Sequence, residues 1–174
     1  MSRFHFVAAA MVAAILAIGM GRAIADGSGD PTAVKDDHGK YFDKNGIPTF
    51  HISKDGVVDW HTFSGYRRYN SNCIVCHGPD GAGSTYAPAL VDSLKALNYT
   101  QFFTIVVNGK KDVSTSSDKV MPAWGTNPNV MCYLDDIFVY LRARSDGALG
   151  RGRPQHVPKP EAATKAEDSC MGPQ

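Results

Sequence analysis

Apolar residues along this chain are arranged with several different spacings. Residues 7–20 form a nearly unbroken apolar run. Trp60, Phe63, Tyr66 and Tyr69 recur at every third position, which predicts one face of a helix. Gly65 within it would permit a close helix crossing. Residues 88–97 and 99–108 read as two short helices, the second stopped by Gly109. The clearest pattern is Val130, Leu134, Ile137, Phe138 and Leu141, at i, i+4, i+7, i+8 and i+11, the stripe of an amphipathic helix. Asp135 and Asp136 in its first turns, and Arg142 and Arg144 in its last, complement the helix dipole. Gly147 suits a C-cap.

Upstream the period changes. Residues 40–43 and 47–52 flank Lys44-Asn45-Gly46, the signature of a β-hairpin with Asn-Gly at the turn. Pro48 demotes the second strand to a sheet edge. Residues 26–38 are polar and Gly-rich, and residues 147–174 are rich in Pro and Gly. Both read as extended tails. The expected organisation is therefore an N-terminal leader over 1–25, an extension with a hairpin over 26–57, a mainly helical domain over 58–146, and a tail over 147–174. There is no internal repeat.

The leader is a targeting signal. Arg3 gives a basic start, the apolar run follows, and Ala23-Ile24-Ala25 has the small-x-small pattern of a cleavage site. At about 14 residues the run falls short of the roughly 20 that span a bilayer. With no second run of spanning length, the expectation is an exported chain without a membrane span; in a bacterium that means the periplasm, where disulfides persist. The full chain carries 18 Lys plus Arg against 17 Asp plus Glu. The first 25 residues contain Arg3 and Arg22 and no acid, so the mature chain has 16 basic and 17 acidic residues, a net charge of −1. That balance gives no sign of nucleic-acid binding. The mature length of about 149 residues suits one domain, whose compact part, roughly residues 39–145, is small enough to benefit from a large apolar cofactor.

Cys73-Ile74-Val75-Cys76-His77 supplies that cofactor's attachment site. Two thiols at this spacing can each form a thioether with one vinyl group of a haem, and the following His then lies beneath the iron. Cys-x-x-Cys-His reads as c-type haem attachment. A thioredoxin-like pair would follow a strand in a βαβ unit, which is absent. A zinc site would want a second close pair of ligands, and Cys132 and Cys170 are 38 positions apart.

The second axial ligand is expected downstream. Met121, in Val120-Met121-Pro122-Ala123-Trp124, is the main candidate, following a polar loop over residues 109–119 and stiffened by Pro122. Met/His ligation raises the potential and suits electron transfer. Met131 is a competitor that reads better as helix packing, and His51 or His61 would give bis-His ligation. Trp124 could contact the haem or simply fill the core. Cys132 and Cys170 remain after haem attachment, and an even remainder in an exported protein suggests a disulfide.

Residues 69–78, 120–125 and especially the run Asp135-Asp136-Ile137-Phe138-Val139-Tyr140-Leu141-Arg142-Ala143-Arg144, continuing through Arg151-Gly152-Arg153-Pro154, resemble the methanol-metabolism-related c-type cytochromes. These are the cytochrome c-L and XoxG-type electron acceptors of pyrroloquinoline-quinone (PQQ)-dependent methanol dehydrogenases. The resemblance spans residues 40–154. It implies a class I cytochrome c fold, here with the hairpin extension and tail added, and one haem c on Cys73 and Cys76 with His77 and Met121 on the iron. It also implies an electron carrier, not an enzyme, that is reduced singly by the dehydrogenase and oxidised by a small cytochrome c. A carrier for another quinoprotein alcohol dehydrogenase, or a haem peroxidase, is the alternative. Some relatives bind calcium, but no acidic cluster marks such a site here.

Overall fold

The computed structural model describes residues 27–114 and 117–172, with the side chains of 113–118 excepted. The leader expected over residues 1–25 lies outside them. Among the described residues no helix is long and apolar enough to cross a membrane.

The first expected helix is α1 (Trp60–Asn72). Asp59 caps it, accepting from the Thr62 amide at 2.9 Å and the Thr62 hydroxyl at 2.5 Å. A cap of this kind satisfies amides that have no partner within the helix. The C-terminal stripe folds in two pieces, a short α5 (Pro128–Met131) and then α6 (Leu134–Ser145), with Cys132 and Tyr133 at the break. Both pieces bury the expected stripe: Val130, Leu134, Ile137, Phe138 and Leu141 all belong to the core. Gly147 follows α6 with φ 72° and bonds the Arg144 carbonyl. The two long helices cross at Gly65. A Cβ built there would lie 1.8 Å from the Asp136 carbonyl oxygen, so only glycine lets the backbones approach this closely.

Between them lie α2 (Ile74–His77), a 3₁₀ turn (Pro79–Gly81), α3 (Leu90–Ser93) and α4 (Tyr99–Asn108). Only four residues of the expected helix over 88–97 become α3. Asn98 and Gln101 form a capping box on α4. The segment expected as a polar loop, 109–119, is instead a hairpin: β4 (Lys110–Ser114) pairs antiparallel with β5 (Ser117–Met121), Lys110 opposite Met121. These strands were missed because their residues are polar and carry no two-residue alternation.

The N-terminal hairpin forms as β2 (Lys40–Phe42) and β3 (Pro48–Thr49), with Tyr41 opposite Thr49. Pro48 lies on an edge strand, as its missing N–H requires. A third strand, β1 (Lys35–Asp37), pairs with β2 in the order β1-β2-β3. Residues 28–37 are thus not a loose tail. Arg142 reaches out of α6 to take the carbonyls of Ser28, Gly29 and Asp30 at 2.5, 3.2 and 3.0 Å.

The C-terminal segment is extended as far as Pro160 and then forms α7 (Glu161–Met171), which sequence periodicity did not signal. It packs back on the body. Val58 exchanges backbone bonds with Gln155 and Val157 at 2.8 and 3.1 Å, and His156 stacks on Phe63 with ring centroids 3.5 Å apart. Cys132 and Cys170 form a disulfide with their Cα atoms 5.8 Å apart, joining α7 to the end of α5. Beside it Glu167 receives Tyr133 Oη at 2.6 Å and Lys159, with Arg68 at 3.4 Å.

Candidate haem site

An apolar cleft opens between α2, α4, β5 and α6, lined by Cys73, His77, Leu90, Phe102, Val106, Met121, Trp124, Leu134, Ile137 and Leu141, among others. Apart from the sulfur atoms, the imidazole and the indole, these are hydrocarbon groups. Walls of this chemistry suit a large planar apolar group, whose contacts with them add to the packing.

Each candidate ligand has a defined support. Tyr69, on the inner face of α1, donates its hydroxyl to the Gly78 carbonyl at 2.5 Å and accepts from the Gly81 amide at 3.1 Å. Its phenol is pushed well above the ordinary range, chiefly by burial. That contact fixes the turn following His77. The buried His77 ring has Nδ1 3.0 Å from the Pro88 carbonyl oxygen. A carbonyl can only accept, so Nδ1 carries the proton and Nε2 keeps its lone pair for a metal. Hydrogen bonding of this kind orients a ligating imidazole and strengthens it as a donor. Cys73 lies in the lining while Cys76 is exposed. Burial, with Cys76 adding to it, pushes the Cys73 thiol up to about 12.

Met121 ends β5 and is held by α4. Trp124 and Gly125 donate their amides to the Val106 and Val107 carbonyls at 3.0 and 3.1 Å. At Gly109 a Cβ would meet the Met121 carbonyl oxygen at 2.5 Å, so the glycine that ends α4 also lets the methionine strand pass. Met121 and Trp124 both line the cleft. The competitors lie elsewhere. His61 bonds Asp136 at 2.8 Å, exposed His51 stacks on Tyr41, and Met131 packs against the core outside the cleft lining. Sequence reading missed Tyr69 as a hydroxyl partner and Pro88 as an acceptor, because neither belongs to a motif with a fixed spacing.

The donor set fits a covalently held haem. Two thiols at the cleft edge can each add across a vinyl group, an imidazole nitrogen and a thioether sulfur come from separate elements, and the walls are apolar. Among the described residues no group of three or more His, Cys, Asp or Glu is placed to hold a metal ion by itself.

Comparison with known proteins agrees. Residues 62–141 match the family model described as cytochrome c oxidase, cbb3-type, subunit III. Cytochrome c-553I of Paracoccus denitrificans is 52% identical over 136 residues, which cover 78% of this chain and 60% of that protein. The chain thus spans about three fifths of that relative's length. Cytochrome c-555 of Methylococcus capsulatus (strain ATCC 33009 / NCIMB 11132 / Bath) is 35% identical over 96 residues, covering 55% of this chain and 72% of the relative. The crystal structure of the c-type cytochrome XoxG from Methylobacterium extorquens AM1 superposes with a TM-score of 0.76 at 58% identity, covering 80% of this chain and 86% of that one.

Proposed function

The chain belongs to the c-type cytochromes and carries covalently bound haem c, and from that premise we propose that it is the periplasmic electron acceptor of a PQQ-dependent methanol dehydrogenase. Bound haem iron supplies one-electron chemistry by passing between the ferric and ferrous states. In this reading Cys73 and Cys76 fasten the group, His77 and Met121 hold its iron, and Trp124 packs beside it. A small cytochrome c takes the electron onward.

The observation that carries the reading is the cleft itself. Its lining has no acidic or basic side chain placed to move protons on a substrate apart from His77, whose Nδ1 proton is committed to Pro88. A lining of this kind suits a redox group held away from water. Met121 in the lining also argues against the open sixth position that a peroxidase needs. The methanol dehydrogenase is favoured by the likeness to XoxG, and export by the leader and by a disulfide of the kind that oxidising compartments preserve.

Stopped-flow mixing tests the partner. The purified ferric protein should be reduced rapidly by a reduced PQQ-dependent methanol dehydrogenase, and slowly by a quinoprotein dehydrogenase acting on larger alcohols. Equal or reversed rates would displace methanol dehydrogenase as the donor.

A further inference from the structure

The stretch of sequence that follows α6 runs past the haem motif, and one residue joins the two. Asp80 is one of two described non-glycine residues with positive φ, at φ 58° and ψ 19°. Such a left-handed aspartate is strained unless its surroundings hold it there. They do so from three sides. The Asp80 carboxylate accepts from Arg151 Nε at 3.1 Å and from the Gly152 amide at 3.0 Å. Its own carbonyl receives Arg144 Nε at 3.4 Å. Tyr69 grips Gly78, two residues before Asp80, and Gly81, directly after it. Although burial opposes it, these hydrogen bonds and the two arginine charges hold the Asp80 carboxyl below the usual carboxylate range. It is therefore ionised at neutral pH, as the ion pair requires.

The turn so gripped begins directly after His77 and leads into the loop that returns to Pro88. That loop closes on the motif: the Gly83 amide bonds the His77 carbonyl at 2.8 Å, and Ser84 Oγ bonds the Cys76 carbonyl at 2.5 Å. The Pro88 carbonyl at its far end is the acceptor for His77 Nδ1. The geometry points to Asp80 as a positioning residue for the proximal ligand: the C-terminal strap, through Arg151 and Gly152, clamps Asp80 and so holds the loop that keeps Pro88 on the His77 imidazole. The inference rests on His77 being the iron ligand.

Loosening the clamp and removing a nearby charge have opposite effects on the reduction potential, which makes the proposal testable. A slacker Pro88 contact makes the imidazole a poorer donor, destabilises ferric iron and raises the potential. Loss of a cation near the iron, acting through charge alone, favours the ferric state and lowers it. Arg151→Gln does both, but the Arg151 side chain is 70% exposed, so solvent screens the charge effect and the donor effect sets the sign; the same exposure makes the variant compatible with folding. In holoprotein we expect Arg151→Gln to raise the midpoint potential and to speed hydrogen exchange of the His77 Nδ1 proton severalfold, read by NMR of the ferrous form. Arg151→Lys should restore most of both. Asp80→Gly, which accepts positive φ without strain, should speed the exchange at least as much. A lowered potential in Arg151→Gln, or exchange at the wild-type rate in both Arg151→Gln and Asp80→Gly, would overturn the clamp. A His77 ring without hyperfine shifts in the ferric wild type would instead overturn the ligand assignment, and the inference with it.

Discussion

Asp43 and Arg142 form an ion pair at 2.9 Å with their side chains 1% and 0% exposed. The pair joins the turn between β2 and β3 to α6. Arg142 spends its remaining donors on the carbonyls of Pro48, Ser28, Gly29 and Asp30, except for Nε, which has no partner. Removing one member leaves an uncompensated buried charge, which costs about 3–5 kcal/mol. Asp43→Ala should therefore lower stability by about that much in denaturant titration, and the N-terminal segment should become protease-sensitive. An effect below about 1 kcal/mol, the range of exposed pairs, would mean that the pair is not buried in solution.

The same residue shows what could be read from sequence and what could not. Arg142, Asp135 and Asp136 were expected to complement the dipole of α6, and they do lie in its last and first turns. Each also makes a long-range contact: Arg142 with Asp43, Asp135 with Lys40 and Tyr99, Asp136 with His61. Local pattern fixes which turn a charge occupies and is silent about which distant chain it meets. The haem motif was legible because attachment demands a fixed spacing, and the stripe of α6 because burial demands a period. The β4–β5 hairpin and α7 were not, since polar strands and a mostly exposed helix impose neither. The disulfide could be paired by elimination, but nothing in the spacing showed that it ties down a helix.

That tie gives the second prediction. If Cys73 and Cys76 carry the haem and Cys132 is bridged to Cys170, thiol titration of the unfolded, unreduced holoprotein should find no free thiol. Cys170→Ser should leave the haem spectrum unchanged and cost about 3–4 kcal/mol or less, as the chain-entropy model gives for a loop of this size. Recovery of two thiols per chain would remove the bridge.

Glu167 supplies a pH dependence. Burial pushes its carboxyl up, but hydrogen bonds from Lys159 and Tyr133 and the charges of Lys159 and Arg68 outweigh it, so the group lies below its ordinary value of 4.5. A carboxyl lowered in the folded state stabilises above its unfolded pKa, and the contribution fades as pH falls through the folded one. Glu167→Gln should therefore melt below wild type at pH 7, and the gap should close as pH drops below about 4. A gap that widens in acid would reverse the assignment.

The sixth ligand has a spectroscopic signature. With Met121 on the iron, the ferric protein should show the weak sulfur-to-iron charge-transfer band at the red end of the visible spectrum, and Met121→Ala should abolish it. Because a thioether favours ferrous iron, the potential should fall in the same variant. Persistence of the band would direct attention away from β5.

The docking face can be argued from what the haem motif leaves uncovered. Val75, between Cys73 and Cys76, is 81% exposed, and Tyr86, in the loop leading to Pro88, is 75% exposed. Val120, next to Met121, is 56% exposed. Ala82 and Pro88 are exposed as well, while Ile74 is half-buried. Large apolar side chains left in water beside a redox cleft suit a transient contact, and such contacts are small, below about 1,200 Å². Charge on β4 is mixed, with Lys110 and Lys111 followed by Asp112. The full chain is close to neutral, with a net charge of +1, so long-range steering contributes little. Raising salt should therefore slow reduction by the dehydrogenase only modestly. Val75→Asp places an unpaired charge at the centre of the contact, where burial against a partner is costly. It should slow the second-order reduction rate at least tenfold, about 1.4 kcal/mol, with the haem spectrum and potential unchanged. Tyr86→Asp should act in the same direction. If salt abolishes the reaction while both variants react at the wild-type rate, the donor binds elsewhere, and the β1–β3 sheet becomes the surface to mutate.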